Sequence, residues 1–360
     1  MVISKLIRYK SYKLFGFPKT FPMNLTLGLT YRCNSRCSTC NIWKRKEFKH
    51  ELSLNEFEKI FKNIGKNRIY LLILTGGEPF LHKDIVEICE YAEKYCKPET
   101  VVIPTNCILN EIVVRKTEEI LKNCRKSHIT VNISLDGIYG KHDFIRGTPG
   151  NFDKAMNVYK KLKSFEKKYK NFDVSLHTVI SKFNFMDFKE IFEYVSKELK
   201  PENYITEIAE HRNELNNTKE NIAPEFNEYS QAIDLLIKDL ETKKLNLKQA
   251  LRIEYYRLVK KILKQKKQVI PCYAGIASAQ IDPTGEVWFC CVRAESIGNI
   301  RDVNYDLMRL WFNEKAEKQR KSIKNKECCC PLASASYTNI SLSFAASSRT
   351  LYKLLKSRIK

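Results

Sequence analysis

The chain has 360 residues, of which 43% are hydrophobic and 11% aromatic, enough for a large core and too apolar for wholesale disorder. No apolar run is long enough to span a bilayer, and Lys or Arg interrupts the apolar stretches of residues 1–20, which argues against a signal peptide. The net charge of +22 is compatible with nucleic acid, an anionic membrane or a phosphorylated substrate, or with solvated lysines alone. We therefore expect a cytoplasmic protein.

The first two thirds of the chain alternate between strand-like and helix-like patterns. Strands are predicted at 25–30, 70–74, 101–104, 129–134, 174–180 and 204–208. Helical spacing follows a capping box at Ser53–Glu56, follows a cap at Asp84, and recurs over 111–124, 152–168 and 186–199. Six such units predict an α/β fold, a parallel sheet curled into a partial, TIM-like (β/α)6 barrel. The chemistry of such sheets lies at the carboxyl ends of the strands.

The last third of the chain changes character. Asn, Lys and Glu dominate residues 212–268, whose helical patterning predicts a connector. Six cysteines follow, together with a turn at Asp282–Gly285 and a strand at 287–289, which is typical of a small cysteine-rich domain. The predicted organisation is a basic N-terminal segment (1–23), the barrel (24–211), the connector (212–268), the cysteine-rich domain (269–340) and a basic amphipathic tail (341–360).

Three cysteines, Cys33, Cys37 and Cys40, directly follow the first predicted strand. The chain holds 13 cysteines, and in a reducing compartment these are more often metal ligands than disulfides. Three thiolates within one short loop can bind three irons of a 4Fe–4S cubane and leave the fourth iron without a protein ligand. A zinc knuckle would need a fourth ligand, and the nearest candidate, His50, lies beyond a charged run. Zinc and a disulfide remain the alternatives.

The cysteine motif, with Thr75–Pro79 (TGGEP) after the second strand, resembles the radical S-adenosylmethionine (SAM) superfamily. The resemblance implies that the methionine amine and carboxylate of SAM chelate the open iron. One electron then cleaves the sulfonium, and the resulting 5′-deoxyadenosyl radical abstracts a hydrogen from a substrate. The resemblance also implies a reductant such as ferredoxin or flavodoxin.

The same resemblance implies a cofactor shell at the strand ends. The matching residues are Gly76, Gly77, Glu78, Asn106, Ser134, Asp136 and Arg146. In the family, the glycine-rich turn meets the methionine amine, the Ser-Leu-Asp-Gly strand end lies beside the ribose, and the arginine faces the methionine carboxylate. Asn184 occupies another position that often lines the cofactor. Trp43 is either a wall against the adenine or an ordinary core aromatic.

The second group of cysteines resembles the opening of an auxiliary-cluster extension called the SPASM or twitch domain. The match is Cys272 and Cys290 with the glycine of the Asp282–Gly285 turn between them. Six cysteines are too few for two clusters with four cysteine ligands each, so one auxiliary 4Fe–4S cluster is predicted. Its expected ligands are Cys272, Cys290, Cys328 and Cys330, because residues two apart on an extended chain face the same side. Cys291 or Cys329 could replace one of them, and a structural zinc is the rival.

Both termini combine apolar and basic residues, at Ile3, Leu6 and Ile7 and at Leu351, Leu354, Leu355 and Ile359. Such helices can lie on the anionic inner face of a membrane or pack on the barrel, and we expect packing. The substrate is left open as an anionic, lipid-linked or peptide molecule. The alternative function is a non-catalytic iron–sulfur or zinc protein that binds nucleic acid through its basic surface. Because no RNA-binding signature accompanies the charge, we expect no nucleic-acid partner.

Overall fold

The computed structural model describes residues 2–46, 48–65, 67 and 69–359, and the side chains of those from residue 6 to residue 358. Nine strands are found over these residues. They are β1 (Asn24–Thr30), β2 (Leu71–Gly76), β3 (Thr100–Thr105), β4 (His128–Ser134), β5 (Phe172–Ile180), β6 (Asn203–Ile208), β7 (Ser278–Ile281), β8 (Glu286–Trp288) and β9 (Ser296–Asn299).

The strands form one open sheet in the order β6-β5-β4-β3-β2-β1-β7-β8-β9. The first six strands form five successive parallel pairs, from β1 with β2 to β5 with β6, which confirms the predicted α/β partial barrel. The cysteine-rich segment continues this sheet, because β7 pairs in parallel with β1 and then turns back through the antiparallel strands β8 and β9. The predicted turn at Asp282–Gly285 joins β7 to β8, and Asp282 accepts a 2.6 Å hydrogen bond from the Tyr31 hydroxyl.

Thirteen helices accompany the strands in the part of the chain that is described. They are α1 (Val2–Phe15), α2 (Leu54–Ile64), α3 (Ile85–Tyr95), α4 (Asn110–Asn123), α5 (Tyr139–Arg146), α6 (Asn151–Lys168), α7 (Phe188–Tyr194), α8 (Phe226–Thr242), α9 (Leu247–Gln265), α10 (Leu307–Trp311), α11 (Glu314–Lys324), α12 (Ala333–Leu342) and α13 (Phe344–Ile359). The capping box of Ser53 and Glu56 is confirmed at the start of α2. Asp84 precedes α3 as predicted, but its side chain makes no capping hydrogen bond.

The two faces of the barrel sheet differ in polarity, because successive side chains of a strand point to opposite sides. One face carries the buried Leu, Ile and Val residues of the main core, such as Leu27, Leu74 and Val131. On the other face the strand register aligns Asn132, Ser175 and Asn203 in one row, and the Ser175 hydroxyl bonds the Asn132 side chain. The barrel therefore has an apolar outer layer beneath its helices and a polar inner face.

The N-terminal helix packs against the body of the protein. Tyr9 and Tyr12 of α1 are buried in a cluster with Tyr273 and Leu342, whereas Ile7 is 59% exposed. The expected packing is therefore seen, but it uses the tyrosines and Leu6 rather than Ile7; the side chain of Ile3 lies outside those described.

The C-terminal helix also packs, on a different face from the predicted one. Buried Glu254 of α9 pairs with Arg349 and Lys353, which draws the basic side of α13 inward. As a result Leu351 and Leu355 are each more than half exposed, whereas Leu354 packs against the core cluster of α8 and α9. The side chain of Ile359 lies outside those described. In the described chain, every helix is too short or too polar to cross a membrane.

Candidate active site

Cys33, Cys37 and Cys40 lie half-buried in the segment 31–41, the cysteine loop, which leaves the carboxyl end of β1. The loop is held from one side by the end of α5, whose last carbonyls accept hydrogen bonds from the backbone N–H groups of the loop at 2.8 and 3.2 Å. Such terminal carbonyls have no partner inside their own helix. The N–H groups of the loop therefore satisfy the last carbonyls of α5, and these hydrogen bonds fix the position of the loop.

The glycine-rich turn holds the loop from the other side. A Cβ atom on Gly76 would lie 2.2 Å from the carbonyl oxygen of Thr30, and one on Gly77 would lie 2.1 Å from that of Arg32. Gly76 also has φ +128°, a conformation that L side chains rarely adopt. The backbone of the turn thus approaches the cysteine loop too closely for any side chain. That role of the two glycines is additional to the cofactor contact that the sequence predicts.

Glu78 is buried, and its carboxylate points to the end of β3. It accepts hydrogen bonds from the Thr105 hydroxyl (2.9 Å) and the backbone N–H groups of Asn106 (2.8 Å) and Phe80 (3.3 Å). Burial raises the pKa of Glu78 to about 7. Glu78 therefore connects the turn after β2 to the end of β3. From there the Asn106 amide donates a hydrogen bond to Asn34 of the cysteine loop (2.8 Å).

Arg146 and Asp136 form a buried ion pair with 3.0 Å between Nη1 and Oδ2. Asp136 is fixed by a second bond, from the Val179 backbone N–H to its Oδ1 (2.9 Å). Burial alone would lower the pKa of Arg146, but the nearby Cys37 thiol and Asp136 raise it, so the guanidinium is charged. Among the described atoms, its buried Nε–H has no hydrogen-bond partner. One donor is therefore available for an anionic group.

A neutral histidine connects the strand ends. The Asp136 N–H donates to His142 Nδ1 (3.2 Å), so the ring proton lies on Nε2, which donates to Asn151 Oδ1 (3.1 Å). The Asn151 amide in turn donates to the Asn106 carbonyl (2.8 Å). Burial lowers the pKa of His142 to about 4. The sequence carried no signal for Asn151, because an asparagine at a helix start is common in many contexts.

The remaining predicted shell residues differ in exposure. Ser134 is half-buried at the end of β4, directly opposite His177 of β5. Asn184 is buried and donates to the carbonyls of Asp136 and Val179, both at 2.9 Å, so it supports the Asp136 strand end. Trp43 is half-buried, and its indole N–H donates to the Cys40 carbonyl (2.9 Å), so Trp43 is not a core aromatic.

Two of the three sulfurs of the cysteine loop have an N–H donor nearby. These donors are the Ile42 N–H at 3.5 Å from Cys40 and the Asn106 amide at 3.9 Å from Cys33. Cys37 lies 3.1 Å from the Ser35 hydroxyl, which itself donates to the Arg146 carbonyl (2.8 Å). Burial raises the pKa of Cys33 to about 11 and that of Cys40 to about 12. Donors of this kind stabilise thiolates once a metal has displaced their protons. The three thiols fit an iron–sulfur cluster, and the unpartnered Nε–H of the neighbouring Arg146 fits an anionic ligand.

The predicted auxiliary cysteines also come together. Cys272, Cys290, Cys328 and Cys330 lie close enough to influence one another's ionisation, and burial raises the pKa of Cys290 to about 11. Cys329 is exposed. Across the described residues, no three His, Cys, Asp or Glu side chains are arranged around the position of a single metal ion. The isolated cysteines are buried elsewhere, at Cys89, Cys96, Cys107 and Cys124.

One segment, residues 210–217, connects the two cysteine regions. Toward the cysteine loop, the Asn217 amide donates to the Thr39 carbonyl (2.9 Å) and the Asn41 N–H donates to the Leu215 carbonyl (3.0 Å). Toward the auxiliary cysteines, Asn213 N–H donates to the Val292 carbonyl (3.1 Å). We call residues 210–217 the bridging segment. The predicted boundary between the barrel (24–211) and the connector (212–268) falls within this segment, and the sequence predicted no role for it in the site.

Comparison with known families agrees with this geometry. Residues 27–195 match the model of the radical SAM superfamily, and residues 272–331 match that of the SPASM iron–sulfur cluster-binding domain. Together the two matches cover more than half of the chain. The protein belongs to the radical SAM superfamily and carries a C-terminal SPASM domain. Radical SAM domains bind a 4Fe–4S cluster and SAM, and SPASM domains bind auxiliary iron–sulfur clusters.

Among curated relatives, the antilisterial bacteriocin subtilosin biosynthesis protein AlbA of Bacillus subtilis is 26% identical over 87% of this chain and 66% of its own length. The mycofactocin maturase MftC of Mycobacterium tuberculosis is 32% identical over 39% of this chain and 34% of its own. The Fe-coproporphyrin III synthase of Methanosarcina barkeri is 28% identical over 65% and 55%. The chain thus spans between about a third and two thirds of the length of these relatives.

Solved structures show the same fold. Streptococcus suis SuiB bound to S-adenosylmethionine superimposes with a TM-score of 0.62 and 17% identity, covering 84% of this chain and 68% of SuiB. The anSMEcpe structure with bound AdoMet and Cp18Cys peptide gives a TM-score of 0.62 and 15% identity, covering 94% and 97%. At these identities the likeness concerns the fold alone.

Proposed function

We propose that this protein is a radical SAM enzyme whose first cluster is held by Cys33, Cys37 and Cys40. The observation that carries the proposal is the cysteine loop itself. It is fixed between the glycine turn and the end of α5, it carries three cysteines of which two have an N–H donor near the sulfur, and it lies beside a buried arginine with one free N–H. A closed structural site would have no use for that arginine donor.

The surrounding residues divide the remaining tasks. When bound, the cluster supplies the electron that splits SAM into methionine and the 5′-deoxyadenosyl radical, which abstracts a substrate hydrogen. We propose the unpartnered Arg146 Nε–H as the donor to the methionine carboxylate of SAM, with the guanidinium oriented by its ion pair with Asp136. His142 and Asn151 hold the ends of β3 and β4 at a fixed distance beside the cofactor. Gly76, Gly77, Asn106 and Ser134 complete the shell.

The auxiliary cluster is proposed at Cys272, Cys290, Cys328 and Cys330, where it relays electrons or stabilises the domain. A small electron carrier such as ferredoxin or flavodoxin is the proposed reductant. The exposure of Cys329 favours the chosen set over one that includes Cys329.

The proposed substrate is a peptide. Among the relatives, SkfB is named as a maturation protein and MftC as a maturase, and SuiB has been solved bound to the precursor peptide SuiA. The polar inner face of the barrel offers hydrogen-bonding groups that a peptide backbone can use. AdoMet-dependent haem synthases are also among the relatives.

The chemistry is tested by anaerobic reconstitution with iron and sulfide, followed by dithionite and SAM, with 5′-deoxyadenosine as the readout. Wild type is expected to form it, and a variant with Cys33, Cys37 and Cys40 all changed to Ala is expected to form none. Cys89→Ala is the matched control, because Cys89 is buried in α3 away from the loop. If the triple variant still forms 5′-deoxyadenosine, or wild type forms none, the proposal is wrong.

The same preparations distinguish the proposed enzyme from the alternative, a non-catalytic protein that binds nucleic acid. That alternative predicts salt-sensitive binding to nucleic acid and no cleavage of SAM. The family assignment favours the enzyme.

A further inference from the structure

Four charged residues lie at the carboxyl end of β6 and in the bridging segment: Glu207, Glu210, Arg212 and Glu214. We call them the mouth cluster. The bridging segment is hydrogen-bonded to the cysteine loop on one side and to the backbone beside Cys290 on the other. The mouth cluster therefore lies between the two proposed iron–sulfur sites, on the edge of the sheet where the radical would be generated.

Arg212 joins two of the carboxylates. Its Nη2 is 3.0 Å from Glu210 Oε1 and 3.5 Å from Glu207 Oε2, and Glu207 Oε1 is 3.5 Å from His177 Nε2. The third carboxylate, Glu214, accepts a 2.6 Å hydrogen bond from the neutral amide of Gln280. One guanidinium is thus shared by two carboxylates, while the third is bonded to an uncharged group.

A second guanidinium lies near the cluster but does not bond to its carboxyl groups. Arg45 Nη2 donates to the main-chain carbonyl of Glu214 (3.1 Å), and its guanidinium stacks 3.9 Å from the centre of the Tyr31 ring. His177 adds a positive charge beside Glu207 only when it is protonated. Among the described residues, the three carboxyl groups therefore share one permanently charged group that bonds to their side-chain oxygens, in a protein whose overall charge is +22.

One oxygen of the cluster has no partner. The Glu210 side chain is only 7% exposed, and among the described atoms its Oε2 makes no hydrogen bond. Burial raises the pKa of Glu210 to about 7, because the charged form loses its contact with water. The buried Arg212 Nε–H is also without a partner among the described atoms, so it does not reach this oxygen. A donor that arrives with positive charge would supply what the protein does not.

We propose that the mouth cluster binds a protonated amine or guanidine group of the substrate, with Glu210 Oε2 as its acceptor. This rests on the proposed function and deepens it, since the substrate becomes a peptide whose Lys or Arg side chain is held at the mouth. Of the anionic, lipid-linked and peptide substrates that the sequence leaves open, it selects the peptide. At physiological salt a charge acts over about 8 Å, so the local carboxylates outweigh the distant surface lysines.

The test uses the reconstituted protein with SAM bound and a displayed library of random short peptides, selected at about 0.5 M salt so that surface attraction is screened. Peptides enriched by wild type are expected to share a Lys or Arg at one position. Replacing that residue by citrulline or norleucine is expected to raise the dissociation constant about tenfold or more, as for loss of a charge-assisted hydrogen bond. Glu210→Gln is expected to weaken the parent peptide similarly.

The matched control is Glu193→Gln. Glu193 lies on α7 and forms an exposed ion pair with Lys197, so this variant is expected to bind the peptide as wild type does. An acidic or uncharged consensus, the absence of any enriched peptide, or equal affinity of the citrulline peptide overturns the proposal. The peptide substitutions need only wild-type protein, so a folding defect in Glu210→Gln does not block the test. Formation of 5′-deoxyadenosine without peptide tests the proposed function separately.

Discussion

Protonation of His142 is expected to destabilise the site because the ring accepts a hydrogen bond at Nδ1. A protonated ring would place an N–H against the Asp136 N–H and break the chain from β4 through Asn151 to β3. Burial lowers the pKa of His142 from 6.5 to about 4. A depressed histidine pKa contributes stability that is present above the unfolded value and is lost as pH falls from 6.5 toward 4.

The size of this loss of stability follows from the interval between the two pKa values of His142, 6.5 in the unfolded chain and about 4 in the folded protein. Between about pH 7 and about pH 5 the shift corresponds to a loss of about 2 kcal/mol in the free energy of unfolding. His142→Gln keeps one acceptor and one donor but does not titrate. We expect urea unfolding of wild type to lose about 2 kcal/mol more than this variant over the same pH range. An equal loss in both proteins would refute the argument that a neutral His142 connects the strands.

Two further substitutions test the glycine turn and the ion pair between Glu56 of α2 and Arg301 of the SPASM domain. Gly77→Ala should lower the iron content of the reconstituted protein, because its Cβ would lie 2.1 Å from the Arg32 carbonyl; Gly140→Ala in α5, which has open space, should not. Glu56→Gln should lower stability by about 1 kcal/mol, because Arg301 loses its ion pair. Burial raises the pKa of Glu56, but Arg301 and Ser53 lower it more strongly, to about 2. The stability that the ion pair with Arg301 gives wild type should therefore be lost as pH falls from about 4.5 toward about 2. The melting temperature of Glu56→Gln should not show this loss over the same pH range.

The order of strands and the cysteine motifs could be predicted because both are local patterns. Alternating or continuous apolar runs place the six parallel strands within a residue or two of their observed ends. The spacing of Cys33, Cys37 and Cys40 defines three ligands on one loop regardless of the surrounding fold. Features that depend on one or two neighbouring residues are the ones that sequence reasoning recovers.

Features that depend on distant partners could not be predicted. The face on which α13 packs is set by Glu254, about a hundred residues earlier, and a helical pattern of leucines cannot reveal that carboxylate. The role of the bridging segment could not be predicted, because the residues it contacts, Thr39 and Val292, are far from it and from each other along the chain. The close approach that requires Gly76 and Gly77 is likewise visible only once the cysteine loop is in place.

The central claim is that SAM binds the cluster held by the cysteine loop. Its most direct test is a variant in which Cys272, Cys290, Cys328 and Cys330 are all changed to Ala, reconstituted and reduced. About four irons per chain should remain, and the electron paramagnetic resonance spectrum of the reduced cluster should change when SAM is added. A variant that keeps its irons but gives the same spectrum with and without SAM would contradict the claim.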